Sequence, residues 1–314
     1  MKVESCLAMR HFVLRITGVI FAVALSSQLS AQDLAPRAYL ITPRGSSAVT
    51  LTWSFYTGAL DFNGTIPITG ATGTYHVPIF TLYHSFSFFG HSANVIGSLP
   101  YGVGTFSGDV LGTQRSVYRS GLLDSSFRLS VNLIGGPSMR RKEFAKWKQK
   151  TILGVSLKVV APTGQYGATK LINWGINRWA FKPELGYSYR FRDKWLLDAY
   201  GGAWFYTTNQ QAFNIPVPTP QHQSPIGSFE CHLSRDFGNR LWASFDGNFW
   251  FGGTTTLNGI LNPSTRQTSS RLGATLSVPL TSHQSMKFAY SRGTYIRFGG
   301  NYNNVQVAWQ YSWL

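Results

Sequence analysis

The sequence predicts an all-β fold, a transmembrane antiparallel β-barrel of about 12 strands, and three observations predict it. Apolar and polar residues alternate with period two along a succession of separate stretches. The connections between those stretches alternate between short and long, as they do when turns lie on one side of a membrane and loops on the other. Aromatic residues make up 15% of the chain and charged residues only 13%, too little charge for a surface that faces water throughout.

The first element in chain order is a secretory signal peptide over residues 1–31. Lys2, Arg10 and Arg15 lead into an apolar run over 16–25, and a small polar stretch ending at Ala31 precedes Gln32. Cleavage is expected after Ala31. The apolar run has about ten residues, roughly half of what a membrane-spanning helix requires. No later stretch approaches that length, so passage through a membrane would be made by strands. Cys6 leaves with the signal and Cys231 is then alone, which excludes a disulfide framework. Residues 32–314 show no low-complexity linker and no break in composition, and read as one outer-membrane barrel domain.

The alternation is clearest over 121–133. Leu123, Phe127, Leu129, Val131 and Leu133 take one face with Ser125, while Asp124, Ser126, Arg128, Ser130 and Asn132 take the other. It repeats over 179–191, where Trp179, Phe181, Leu185, Tyr187, Tyr189 and Phe191 oppose Lys182, Glu184, Ser188 and Arg190. The same reading gives strands over 48–56, 75–88, 92–104, 151–162, 195–206, 226–237, 241–251, 268–278, 285–295 and 304–313. Between them, 89–91, 192–194, 238–240 and 279–284 are short. The connections 57–74, 105–120, 163–178, 207–225 and 252–267 are long, and all fall on the outer side when both termini are periplasmic.

One connection, 134–150, departs from this scheme. It carries Arg140, Arg141, Lys142, Lys146, Lys148 and Lys150 with Phe144 and Trp147, and reads as a short basic helix. Two placements follow, on the anionic inner leaflet or folded under the pore mouth, and lipid is expected as its first contact.

Aromatic residues sit where headgroup belts need them: Phe191, Trp195, Phe237, Trp309, Tyr311 and Trp313 at the inner ends, Trp179, Phe205 and Phe251 at the outer ends. A soluble β-sandwich also buries alternating aromatics, but does not place them at both ends. The last strand, with Val305, Val307, Trp309, Tyr311 and Trp313 on one face, resembles the terminal strand that barrel-assembly machinery recognises, although it ends in Leu314 rather than Phe or Trp.

The polar faces would line a lumen. Arg128, Lys158, Lys182, Arg190 and Arg271 are its cations, and Asp124, Asp198, Glu230 and Asp246 its acids. A tight turn at 238–240 sets His232 opposite Asp246 on the inward face, as a brace of the wall or part of a solute site. Arg178, Lys182 and Glu184 are expected at the pore mouth. No G-x-S-x-G elbow is present, the seven histidines and one mature cysteine show no metal-ligand spacing, and Gly102 and Gly104 do not make a dinucleotide fingerprint. No catalytic residue, cofactor or metal is therefore expected. A formal net charge of +16 suits anionic lipid or anionic solutes, and secretion argues against nucleic acid.

A longer run adds a resemblance. Residues Ala161, Pro162, Thr163, Gly164, Gln165 and Tyr166, then Lys170, Leu171, Ile172 and Asn173, then the stretch from Asn177 to Tyr187, resemble the outer-membrane proteins named for the MetA pathway of phenol degradation. Leu197 to Tyr200, Trp204 and Phe205, Leu241 to Ser244 and Gly252 to Thr255 extend the likeness. The resemblance implies an outer-membrane barrel, often a transporter, without implying phenol as cargo. The expected function is passive passage of small, anionic or aromatic solutes, with outer-membrane lipids and the assembly machinery as partners. A barrel-embedded hydrolase and a closed structural barrel are the alternatives.

Overall fold

The computed structural model describes residues 34–62, 67–214 and 217–314. The expected signal peptide and its cleavage point lie outside these. The barrel wall is built from β1 (Ser47–Asp61), β2 (Ile68–Phe88), β3 (His91–Val110), β4 (Thr113–Leu122), β5 (Ser126–Ile134), β6 (Thr151–Val160), β7 (Ala180–Phe191) and β8 (Trp195–Tyr206). Two short strands, β9 (Asn209–Ala212) and β10 (Thr219–Gln223), precede β11 (Ile226–Gly238) and β12 (Leu241–Gly252). Two more, β13 (Thr255–Leu257) and β14 (Ile260–Asn262), precede β15 (Gln267–Pro279), β16 (Gln284–Ile296) and β17 (Gly299–Trp313).

Thirteen of these form one sheet, which closes because β1 pairs antiparallel with β17 from Ser47↔Trp313 to Asp61↔Gly299. β4 and β5 share one position, pairing with the upper and lower parts of β3, so the circuit has 12 positions. Closure pairs each of the 12 positions on both sides along the lower circuit, as hydrocarbon requires, while β4 is paired with β3 alone.

The two faces are distributed inside out relative to a soluble barrel. Leu51, Trp53, Leu82, Leu129, Leu185, Phe229, Phe245 and Leu276 are exposed on the outer surface, while Ser130, Ser156, Ser188, Glu230, His232 and Asp246 are buried inside. Such an arrangement is favourable only where hydrocarbon surrounds the wall. The expected belts stand on the outer face in stacked pairs, including Phe191 with Trp195 at 6.3 Å, Tyr311 with Trp313 at 5.9 Å and Phe249 with Phe251 at 5.7 Å between ring centroids.

The tight hairpins follow from backbone chemistry. Asn258 and Gly259 have φ of 47° and 79°, and Asn239 and Arg240 have 48° and 64°. Two consecutive positive φ values define the primed turns whose twist matches that of the flanking strands.

Three expectations are corrected and a fourth is narrowed. The stretches 57–74 and 105–120 are mostly strand, because β1 and β2 stay paired to Ala59↔Thr72 and β3 and β4 to Val110↔Thr113. Thr and Gly there hide the alternation. The stretches 207–225 and 252–267 hold β9, β10, β13 and β14, a separate four-stranded sheet. The expected strand over 121–133 is broken at 123–125, where Leu123 turns inward to join an apolar cluster. Finally, the basic connection has one helical turn, α1 (Arg141–Phe144), and its Phe144 and Trp147 pack on a cluster of Tyr39, Ile41, Met139, Ile152 and Tyr200. That cluster gives the two rings an apolar surface within the protein, so the segment folds under the mouth of the barrel at the end where β1 begins and β17 ends.

Candidate functional site

The lumen is the candidate site, and its two walls differ. From β5 round to β12 the inward positions carry ionisable groups in register. Arg128 on β5 meets Glu184 on β7 at 3.2 Å, and Glu184 meets Lys182 at 2.7 Å. Lys182 reaches Glu230 on β11 at 3.0 Å, whose other oxygen lies 3.5 Å from His232 Nε2. His232 Nδ1 stands 2.9 Å from Asp246 on β12, and Asp246 accepts from the Thr275 hydroxyl at 2.8 Å. The result is a ladder of alternating sign spanning half the circumference. His232 stands opposite Asp246 in the register, which the tight turn reaches with a one-residue shift between Asp236 and Gly238. By contrast, β17, β1, β2 and β3 turn Thr52, Ser54, Val77, Ile79, Ser98 and Gln306 inward and no charged side chain.

A strap of residues 34–46 lies inside the barrel against the charged wall. Its amides at Ala35, Arg37 and Ala38 donate to Glu230, Asp198 and Tyr200 at 3.4, 3.1 and 3.1 Å. Tyr39, wholly buried, shares hydrogen bonds of 3.0 Å with Ser156 and Glu184 and lies beneath the Arg128 guanidinium at 4.8 Å. Arg37 pairs with Asp236 at 2.7 Å and stacks on Trp242 at 4.2 Å. Past Ile41 the strap crosses to β2, where Thr42 meets the Tyr83 hydroxyl at 2.7 Å and Ser85 donates to Pro43 O at 2.8 Å. No pattern in the sequence marked this segment, because it has neither alternation nor a charge cluster.

What the strap leaves open is a cavity of about 450 Å³. Leu34 and Ala35 of the strap bound it, and Val77, Ile79, Pro100, Trp174 and Ile176 give it an apolar lining. Lys158 and Arg271 bring positive charge to it, with Asp124 and Asp246 among the lining residues. Lys158 lies 5.7 Å from the Trp204 ring, and Arg271 donates to Ser291 Oγ at 3.1 Å and Tyr302 O at 3.2 Å.

The expected mouth residues divide. Lys182 and Glu184 belong to the ladder. Arg178 is only 4% exposed, bonded to Gln223 on β10 and stacked on Tyr206 at 4.5 Å, so it holds the outer sheet on the wall. Burial lowers its pKa to about 10, opposed by the nearby Tyr206 and Tyr166. Asp198 accepts from Ser188 and the strap, Arg190 pairs with Asp236, and Arg128, Glu230, His232 and Asp246 are rungs of the ladder. Among the described residues no group of three or more His, Cys, Asp or Glu is placed to hold a metal.

The connection 163–178 folds inward from the end of the barrel opposite the strap. Asp124 accepts from the Gly164 amide at 2.8 Å and the Ile176 amide at 2.7 Å, and Trp174 packs within 5.8 Å of both Tyr75 and Phe106. Burial raises the pKa of the Asp124 carboxyl, and its two amide donors lower it.

The fold resembles that of solved outer-membrane barrels. The COG4313 outer membrane channel from Pseudomonas putida F1 matches with a TM-score of 0.73 at 16% identity, over 90% of this chain and all 100% of that one. The beta domain of the Bordetella autotransporter BrkA matches with a TM-score of 0.50 at 12% identity, over 86% of this chain and 100% of its own. No curated protein matches by sequence. Residues 42–307 match the family described as "Putative MetA-pathway of phenol degradation", and the chain belongs to that family.

Proposed function

We propose that the protein is a channel of the bacterial outer membrane through which small amphipathic solutes, aromatic anions among them, diffuse passively. The observation that carries this reading is the 450 Å³ cavity between strap and neutral wall, with apolar side chains beside Lys158 and Arg271. A volume of that size lies in the range of small-molecule sites and exceeds the roughly 150 Å³ that holds one benzene. Passive flux needs sites that bind weakly enough to release, and a mixed lining with two cations meets that need for a ring bearing one negative charge. The apolar outer face calls for outer-membrane lipid as surroundings, and the aromatic last strand for the assembly machinery as an earlier partner.

Liposome swelling tests the reading. Protein reconstituted into vesicles is expected to admit benzoate faster than a neutral sugar of similar size, and to show anion-selective conductance in planar bilayers. Equal exclusion of both solutes, or cation selectivity, overturns it. The strap favours a second reading, a closed structural barrel, because Tyr39 fills the lumen on the periplasmic side. That reading expects no flux of any solute from the intact chain.

A further inference from the structure

The connection from β6 to β7 is closed on itself by one side chain from the break between β4 and β5. Asp124 occupies the break between β4 and β5, where the wall gives up strand geometry for residues 123–125. Leaving the ladder frees the Asp124 side chain to point inward, and its two oxygens take different ends of the same loop: Oδ1 accepts from Gly164 N at 2.8 Å and Oδ2 from Ile176 N at 2.7 Å. Hydrogen bonds to an ionised acceptor are about twice as strong as neutral ones.

The neighbours of Asp124 complete the closure. Ser125 N donates to Thr163 Oγ1 at 2.9 Å, Ala161 N to Ser125 O at 2.9 Å and Gln165 N to Leu122 O at 2.8 Å. Gly175 N donates across the loop to Gln165 O at 3.0 Å. The two limbs then run so close that a Cβ on Gly164 would sit 2.7 Å from Gly175 Cα, and one on Gly175 would sit 2.7 Å from Gly164 O. Between the limbs the Asn173 amide binds Gly167 O and Lys170 O at 3.2 and 2.7 Å and accepts from Gly167 N at 2.8 Å, which holds the tip as a tight turn.

This closure places two side chains in the lumen. Trp174 lies against Gly102 so closely that a Cβ there would be 2.6 Å from its ring, and it packs on Tyr75 and Phe106. Ile176, whose amide is one of the two donors, packs with Val160, Trp204 and Trp250 on the opposite side. Both line the cavity. We propose that Asp124 is a positioning residue for transport: a latch that holds the 161–179 loop folded inward, so that Trp174 and Ile176 narrow the outer half of the lumen and set the size of solute admitted.

The proposal rests on the channel reading, and two measurements separate them. Hydrogen exchange reads the latch without any flux. In the intact protein the Gly164 and Ile176 amides are protected; in Asp124→Ala they exchange at least about tenfold faster while the strand amides of β7 and β8 do not change. Single-channel recording reads the consequence: Asp124→Ala is expected to raise conductance about twofold or more and to admit larger solutes, and Trp174→Ala to do the same with the latch intact. Asp124→Asn keeps the shape and one acceptor, and serves as the variant that assembles if the alanine does not; heat-modifiable migration in gels reports assembly of each. Unchanged exchange at residues 163–177 in either assembled variant overturns the latch, as does a conductance equal to that of the parent when exchange has risen. A parent protein that passes no solute while its latch variants show faster exchange overturns the channel reading and the transport role, and leaves Asp124 as a loop clamp only.

Discussion

The two halves of the lumen are built from the same alternating strands and do opposite things with them. From β5 to β12 the inward positions hold Arg128, Glu184, Lys182, Glu230, His232 and Asp246 in one hydrogen-bonded ladder. From β17 to β3 they hold Thr, Ser, Val, Ile and Gln and leave the cavity open. Ionic rungs satisfy one another and the strap, which fixes a buried polar surface in place. The strap meets the neutral wall at its far end, through Thr42 and Pro43 against Tyr83 and Ser85 of β2, and space remains along the rest of that wall. The ladder marks where the lumen is filled, and the cavity opens between the neutral wall and the charged side chains at its border, Lys158 and Arg271 with Asp124 and Asp246.

Removal of the strap is the most disruptive test of that contrast. A chain lacking residues 34–44 exposes Asp198, Glu230, Tyr200 and Glu184 to lumenal water, since each now accepts from or meets the strap. Conductance is expected to rise on the order of tenfold, and selectivity to shift towards cations because carboxylates become accessible. Unchanged conductance would show that the strap does not obstruct the path.

Next in size is the middle of the ladder. Glu230 is 2% exposed and sits between Lys182 and His232. Glu230→Ala removes one of two acidic partners from Lys182, which keeps Glu184, and from His232, which keeps Asp246, and losing a buried charged acceptor of this kind costs about 2 kcal/mol. Thermal unfolding of the detergent-solubilised barrel should show it. The double change Lys182→Met with Glu230→Met removes both partners and should recover most of the loss; if it does not, the ladder owes little to charge pairing.

Smaller again is a change in the cavity. Lys158→Gln keeps length and removes a lumenal cation beside Trp204. Anion-to-cation permeability should fall about twofold with stability nearly unchanged, as expected of a charge that tunes selectivity rather than bracing the wall.

How much of this was legible in the sequence differs between the same two halves. The charged wall was readable as a set of inward residues, because charges stand out against a period of two, and a three-residue connection over 238–240 pairs His232 with Asp246, as the two-residue turn and its neighbouring bulge do. The neutral wall was readable only as strands. Nothing in Val77, Ile79 or Thr52 distinguishes a cavity lining from a packed interior, since the difference lies in what fills the space opposite. The strap was missed for the same reason: residues 34–46 have no repeat of their own and take their conformation from Glu230, Asp198 and Glu184. By the period of two Asp124 is one more lumenal acid on a continuous strand. Its role depends on a break at 123–125 that tertiary bonds to Gly164 and Ile176 impose, and propensity does not announce such a break.

A smaller effect on stability than that of Glu230→Ala lies at the end of the ladder and asks whether its rungs are equivalent. Arg128 has 15% of its side chain exposed, bonds Ser156 at 3.1 Å through Nε, meets Glu184 at 3.2 Å and covers the Tyr39 ring at 4.8 Å. Glu184 has a second cation in Lys182 at 2.7 Å, so losing the planar fork of Arg128 leaves no carboxylate unpaired. Arg128→Lys retains the charge but gives up the guanidinium stack and one of the two bonds, for which about 1 kcal/mol is the expected loss. A loss as large as that of Glu230→Ala would mean that the ladder responds as one unit from end to end. A smaller one would mean that its stability is concentrated where carboxylate and cation are most deeply enclosed, and that the end nearest the strap is free to serve Tyr39 instead.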